Sequence, residues 1–235
     1  DQCEKDCNRM LWNISNLLEG DKNEKNIEVF RIMNSAMFMQ LYHGINVPNG
    51  GIQKHLKEKD FKSFSSEFYK KLDGNELKWR AFQLAFILLN LDGIFNHGDN
   101  SDWSKRNELV DLVWFPTGGG KTEAYLGIIA LTIINRRRLN PGNGGGVAAI
   151  MRYTLRLLTM QQFQRATLMI SALETIRLWQ MYELGDEPIT IGLWVGKKSI
   201  PNDLTDLKEE VNKLIAGKEN KIPFKDCPWC GGELK

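Results

Sequence analysis

Residues 110 to 126 run from an apolar stretch, Val110 to Phe115, through Pro116-Thr117-Gly118-Gly119-Gly120-Lys121-Thr122 into an apolar helical pattern. Each residue type in that run suits one task in holding a triphosphate. Glycines let backbone N–H groups close around the phosphates, a lysine reaches the β and γ oxygens, and a hydroxyl ligates Mg²⁺. The helix that follows aims its unpaired N-terminal amides and the positive end of its dipole at the same anion. Thr117, Gly118, Gly119, Gly120, Lys121 and Thr122 are therefore the candidate ATP-Mg²⁺ residues, with Lys121 and Thr122 carrying the chemistry. Phe115 occupies the place of the first glycine in the G-x-x-x-x-G-K-[ST] pattern.

Four further groups of residues carry chemistry. Upstream, Arg80 and Gln83 sit at the start of an apolar helical stretch, where an amide that both donates and accepts can read an adenine edge. Downstream, Arg152, Thr154 and Arg156 cluster where a predicted strand passes into a helix. Arg156 falls in that helix's first turn, where the dipole disfavours a cation, so a phosphate partner is the expected compensation. Gly196 and Lys197 follow a third strand-like run and suit contact with a nucleic-acid backbone. Last, Cys227-Pro228-Trp229-Cys230-Gly231 has the spacing of a zinc knuckle, with a glycine placed so that amides can turn toward the sulfurs. Two thiolates make half of a structural Zn²⁺ site. The other pair is expected beyond Lys235, with Cys3 and Cys7 as the alternative. A catalytic carboxylate at the end of an apolar strand, which an ATPase needs for Mg²⁺ and water, is not found; Asp186 and Glu187 lie in a polar turn.

The elements that would position these residues follow from hydrophobic spacing. Helical periodicity covers 4–19, 24–42, 77–95, 122–139, 155–184 and 204–216, whereas 110–115, 147–152 and 189–195 read as short strands. Strands alternating with long helices predict right-handed crossovers and a parallel sheet. The expected fold class is α/β, a partial P-loop domain with a parallel sheet preceded by an N-terminal helical region. The expected division is 1–75 helical, 76–226 nucleotide-binding and 227–235 the start of a zinc-bearing insertion.

Composition narrows the classes. With 31 Lys and Arg against 29 Asp and Glu the net charge is only +2, so any nucleic-acid contact must be local. No apolar run reaches the roughly 18 residues of a membrane span, and the start lacks a secretory profile. A cytoplasmic protein without a membrane partner is the expectation, and four cysteines in such a compartment point to metal or free thiols. A start at Asp1 and a stop five residues after Cys230 suggest a piece of a longer protein.

The phosphate loop resembles motif I of superfamily 2 helicases, and Arg80 and Gln83 resemble the segment that precedes it. The run from Arg152 to Thr159 is similar to motif Ia, with Tyr153 in place of the usual proline. Together with Phe30 to Met37, Gly192 to Gly196 and Cys227 to Gly231, these segments resemble the helicase subunit of the DISARM anti-phage defence systems. That resemblance implies a DNA-engaging ATPase with RecA-like lobes, a zinc-ribbon-like insertion and partner subunits in a defence complex. It also implies a DEAD-type box and arginines that this chain does not contain. A P-loop enzyme of another class, such as a nucleotide kinase, and a non-catalytic scaffold that uses loop and zinc to bind a partner are the alternatives.

Overall fold

In a computed structural model of the protein, the residues described are 1–19, 23–48, 65–72, 77–95, 110–112, 114, 120–153, 156–196, 200–201, 203–222, 224 and 226–233. Eight helices lie among them: α1 (Gln2–Glu19), α2 (Asn23–Asn46), α3 (Ser66–Lys70), α4 (Ala81–Leu89), α5 (Leu91–Phe95), α6 (Lys121–Leu139), α7 (Arg156–Leu178) and α8 (Leu204–Ile215).

The centre of the molecule is α2 packed against α6 and α7. Its apolar residues are not confined to one stripe, as befits a helix covered on several sides. Ile32, Met33, Ala36 and Met39 of α2 are buried together with Leu131 and Ile134 of α6 and Leu173 and Ile176 of α7. Interiors of this density relax only partly when a side chain is shortened, so Ile134→Ala would cost about 2–5 kcal/mol.

Polar tethers fasten the outer helices. Arg9 of α1 makes a buried two-pronged contact with Asp92 of α5, Nε to Oδ2 at 3.0 Å and Nη2 to Oδ1 at 3.1 Å. Asn13 donates to the Leu88 carbonyl at 2.8 Å, and Asn135 of α6 to that of Ile94 at 2.6 Å. Arg137, buried in the last turn of α6, donates to the carbonyls of Leu184 and Pro188 at 3.0 and 3.1 Å. The polar turn containing Asp186 and Glu187 is thereby wrapped around a guanidinium.

Apart from the short α3, which lies outside every periodic segment, the helices correspond to those segments with two adjustments. The apolar stretch 77–95 is extended over 77–80 and then interrupted at Asn90, and α7 stops at Leu178, before Gln180 takes a left-handed φ of 54°. The predicted sheet is a different matter. Among the described residues there is no β-ladder, and the one pairing is an isolated antiparallel bridge between Asp226 and Glu233. The expected α/β fold with a parallel sheet and a RecA-like arrangement is therefore wrong: the described protein is helical.

The physical reason lies in what a strand requires. Alternating apolar residues specify an extended backbone, but a sheet forms only when a neighbouring strand takes the backbone N–H and C=O groups. Here the segments around 110–112, 147–153 and 189–196 lie outside any ladder. Ile189 turns inward and is buried, yet Val110, Leu112, Trp114, Ile150 and Trp194 remain exposed, Trp194 at 99%.

Candidate phosphate loop and thiol turn

Gly120 caps α6 with φ 87° and ψ 30°, a left-handed conformation in which a Cβ would be strained. A Cβ there would also lie 2.8 Å from Nε2 of Gln83. The contact exists because Gln83 reaches across from α4 and donates to the Gly120 carbonyl at 2.7 Å. Its other atom, Oε1, accepts the Arg80 backbone N–H at 2.9 Å and so caps the start of α4. Gln83 thus ties two helix N-termini together and is itself buried. One donor and one acceptor of its amide are spent on the protein, the donor on the backbone at the start of α6.

Lys121 and Thr122 are the first two residues of α6, and both are half-buried. A lysine at a helix N-terminus opposes the dipole unless an anion sits there. The left-handed glycine, the helix start and the Lys-Thr pair fit a bound phosphate group with its Mg²⁺. Thr117, Gly118 and Gly119 lie outside the described residues. Arg80, at the cap of α4, is exposed.

In the same first turn the Glu123 carboxylate faces α7, its Oε1 3.0 Å from Nη1 of Arg165. Further along α6, Gly127 allows close approach: a Cβ there would meet Ile87 Cδ1 at 3.0 Å and the Trp79 ring at 3.2 Å. Trp79 is fixed from its other end, where Nε1 donates to Asn34 of α2 at 2.7 Å. The start of α6 is therefore held by α2, α4 and α7 at once.

The predicted nucleic-acid residues do not assemble on a sheet edge, because among the described residues no sheet supplies one. Arg152 and Gly196 are exposed on extended segments. Arg156 is the first residue of α7, and its side chain, like Thr154 and Lys197, lies outside the described residues.

Cys227 and Cys230 flank a tight turn. The Gly231 N–H donates to the Cys227 carbonyl and the Cys227 N–H to the Gly232 carbonyl, both at 2.7 Å, while Gly231 takes φ 73°. Burial raises the Cys230 thiol pKa, opposed by the Gly232 amide directed at its sulfur. This is a fit for one half of a soft-metal site, with amides turned toward sulfur. Among the described residues no third Cys, His, Asp or Glu joins the pair, so Cys3 and Cys7, exposed on α1, do not complete it.

The anchor of this turn is a residue that no sequence pattern singled out. His43, fully buried in the last turn of α2, stacks on the Trp229 ring with centroids 3.5 Å apart and planes 10° from parallel. Its Nδ1 is 2.6 Å from the Trp229 carbonyl and its Nε2 is 2.7 Å from the Tyr69 hydroxyl. A carbonyl only accepts, so Nδ1 carries the proton and Nε2 receives the tyrosine hydrogen. Burial lowers the His43 pKa to about 4, partly offset by the Trp229 hydrogen bond. Desolvation outweighs the helix C-terminus, whose favour toward a cation is about 0.3–1 kcal/mol. The only available signal was a lone histidine ending an apolar helix, and it names no partner 186 residues away.

No family model matches the chain. It is 38% identical, over 97% of its length, to the DISARM protein DrmA of Bacillus paralicheniformis (strain ATCC 9945a / NCIMB 11709 / CD-2). That similarity supports a DISARM-related origin. The chain spans 20% of that curated relative's length. No helix among the described residues is long and apolar enough to cross a membrane.

Proposed function

We propose that this chain is the ATP-binding portion of a DNA helicase or translocase that acts in anti-phage defence. The observation that carries the reading is the left-handed Gly120 at the cap of α6, clamped through its carbonyl by Gln83 and followed at once by Lys121 and Thr122. The relation to a DISARM protein supports the defence role, and subunits of such a system are the expected partners.

In this reading Lys121 sets its ammonium against the β and γ phosphates, and the Thr122 hydroxyl faces Mg²⁺. Gln83 holds Gly120 in the conformation that leaves the first amides of α6 open to the anion, adding the helix dipole to the lysine charge. Bound ATP-Mg²⁺ supplies the phosphoryl transfer that drives movement on DNA. Arg152 and Arg156 contact the DNA backbone. Cys227 and Cys230 hold structural Zn²⁺ together with two ligands from elsewhere.

The test is Lys121→Ala in the full-length protein. ATP hydrolysis with saturating single-stranded DNA should fall by at least on the order of 10² to 10³, the scale for removing one preorganised charge-stabilising group. The unfolding midpoint should not move. Wild-type turnover in the variant would remove the phosphate-loop assignment, and failure of the wild type to bind nucleotide would leave the scaffold reading.

A further inference from the structure

We infer that His43 is the positioning residue of the thiol turn: it sets the direction in which Cys227 and Cys230 present their sulfurs to a metal. The inference rests on the proposal that the two thiols bind metal, and it concerns a residue far away in sequence. Three contacts converge on one ring. The Trp229 indole lies flat against it at 3.5 Å, Nδ1 bonds the Trp229 carbonyl at 2.6 Å, and Nε2 bonds the Tyr69 hydroxyl at 2.7 Å. Trp229 lies between the two cysteines, so its carbonyl and ring belong to the turn itself. Fixing both restrains rotation of the turn about its stem, where the Asp226–Glu233 bridge and the bonds between Cys227 and the two glycines close it.

Tyr69 completes the device. Its hydroxyl donates to Nε2 and thereby selects the tautomer that has its hydrogen on Nδ1, the one form able to bond a carbonyl. Tyr69 is itself buried, packed against Phe68, Trp179 and Tyr42. The chain of support therefore runs from the aromatic cluster through His43 to the backbone between the ligands. Outer groups that orient metal ligands in this way are worth about 10- to 100-fold in metal affinity.

The experiment titrates the metal-free full-length protein with cobalt(II) chloride and reads the thiolate-to-cobalt charge-transfer band. Cys227→Ser with Cys230→Ser is the control that defines the site. His43→Ala should weaken cobalt binding by about 10-fold or more. His43→Gln should stay within about 2-fold, because its amide can donate to the Trp229 carbonyl and accept from Tyr69. Tyr69→Phe, which removes only the orienting hydroxyl, should weaken binding by about 5-fold and keeps the test open if His43→Ala does not fold. Wild-type affinity in folded His43→Ala or in Tyr69→Phe overturns the inference while the thiol site stands. Equal weakening in the Ala and Gln variants also overturns it, since that would mark a steric rather than a hydrogen-bonding role. A band that is missing from the wild type, or that survives loss of both cysteines, overturns the thiol reading and the inference with it.

Discussion

The start of α6 and the thiol turn each place a positive-φ glycine beside residues suited to a ligand, Gly120 at 87° and Gly231 at 73°, yet they are held in opposite ways. At the proposed phosphate loop the candidate groups come from consecutive residues, and the anchor, Gln83, uses its amide on two nearby backbones. At the thiol turn the two cysteines are also close in sequence, but the anchor is a neutral imidazole 186 residues distant, carried at the end of the central helix. The difference lies in which perturbation each can survive. A clamp made by a neutral amide is indifferent to pH, whereas one made by a buried histidine is not.

Acid should therefore separate the two regions most strongly. His43 is held neutral, with its pKa lowered by burial from 6.5 to about 4 in the folded protein. Its contribution is complete above about pH 6.5 and is lost as pH falls from there toward 4, because the unfolded chain takes up a proton that the folded one refuses. The shift corresponds to about 3 kcal/mol. Tyr42 and Tyr69, both raised in pKa by burial and so uncharged in this range, pack on the ring. Urea unfolding at pH 7 and pH 4 should show wild type losing about 3 kcal/mol more than His43→Gln; equal losses would mean that the histidine is not the acid-sensitive anchor.

A smaller effect is expected from Gly120→Ala, which forces a side chain into a left-handed backbone and against Gln83. It should cost about 1–3 kcal/mol and weaken nucleotide binding, both measurable by thermal unfolding with and without ATP-Mg²⁺. Full stability and unchanged ligand protection would show that the glycine is incidental. Gln83→Ala removes one bond to each of two backbones without backbone strain, and about 1 kcal/mol is the expected loss. Its ATP affinity should fall in parallel with that of Gly120→Ala if the clamp, rather than base reading, is what matters. Smallest for stability is Arg152→Ala, exposed and expected to stay within about 0.5 kcal/mol of wild type. Its effect belongs to DNA: removing one phosphate-binding cation should lower the slope of log affinity against log salt by about 1, and an unchanged slope would reduce Arg152 to a solvated side chain.

Local rules made much of this molecule legible in the sequence. Apolar residues at helical spacing located α1, α2, α6, α7 and α8 to within a few residues, apart from the end of α7, because a helix satisfies its backbone within itself and needs a partner only for its apolar face. The order of glycines, lysine and threonine marked the start of α6, and the Cys-Pro-Trp-Cys-Gly spacing marked a turn, since both are properties of a few consecutive residues. Extended segments are another case. Val110, Leu112, Ile150 and Trp194 lie in short apolar runs that read as strands, but whether such runs enter a sheet depends on a second segment accepting their hydrogen bonds, and that choice is not written in either segment alone. Tertiary packing alone likewise decided that Gln83 would hold Gly120, that Arg9 would find Asp92, and that His43 would stack on Trp229. A polar side chain does not encode its partner. It becomes obliged to have one when packing removes water from it, and the folded core determines which side chains those are.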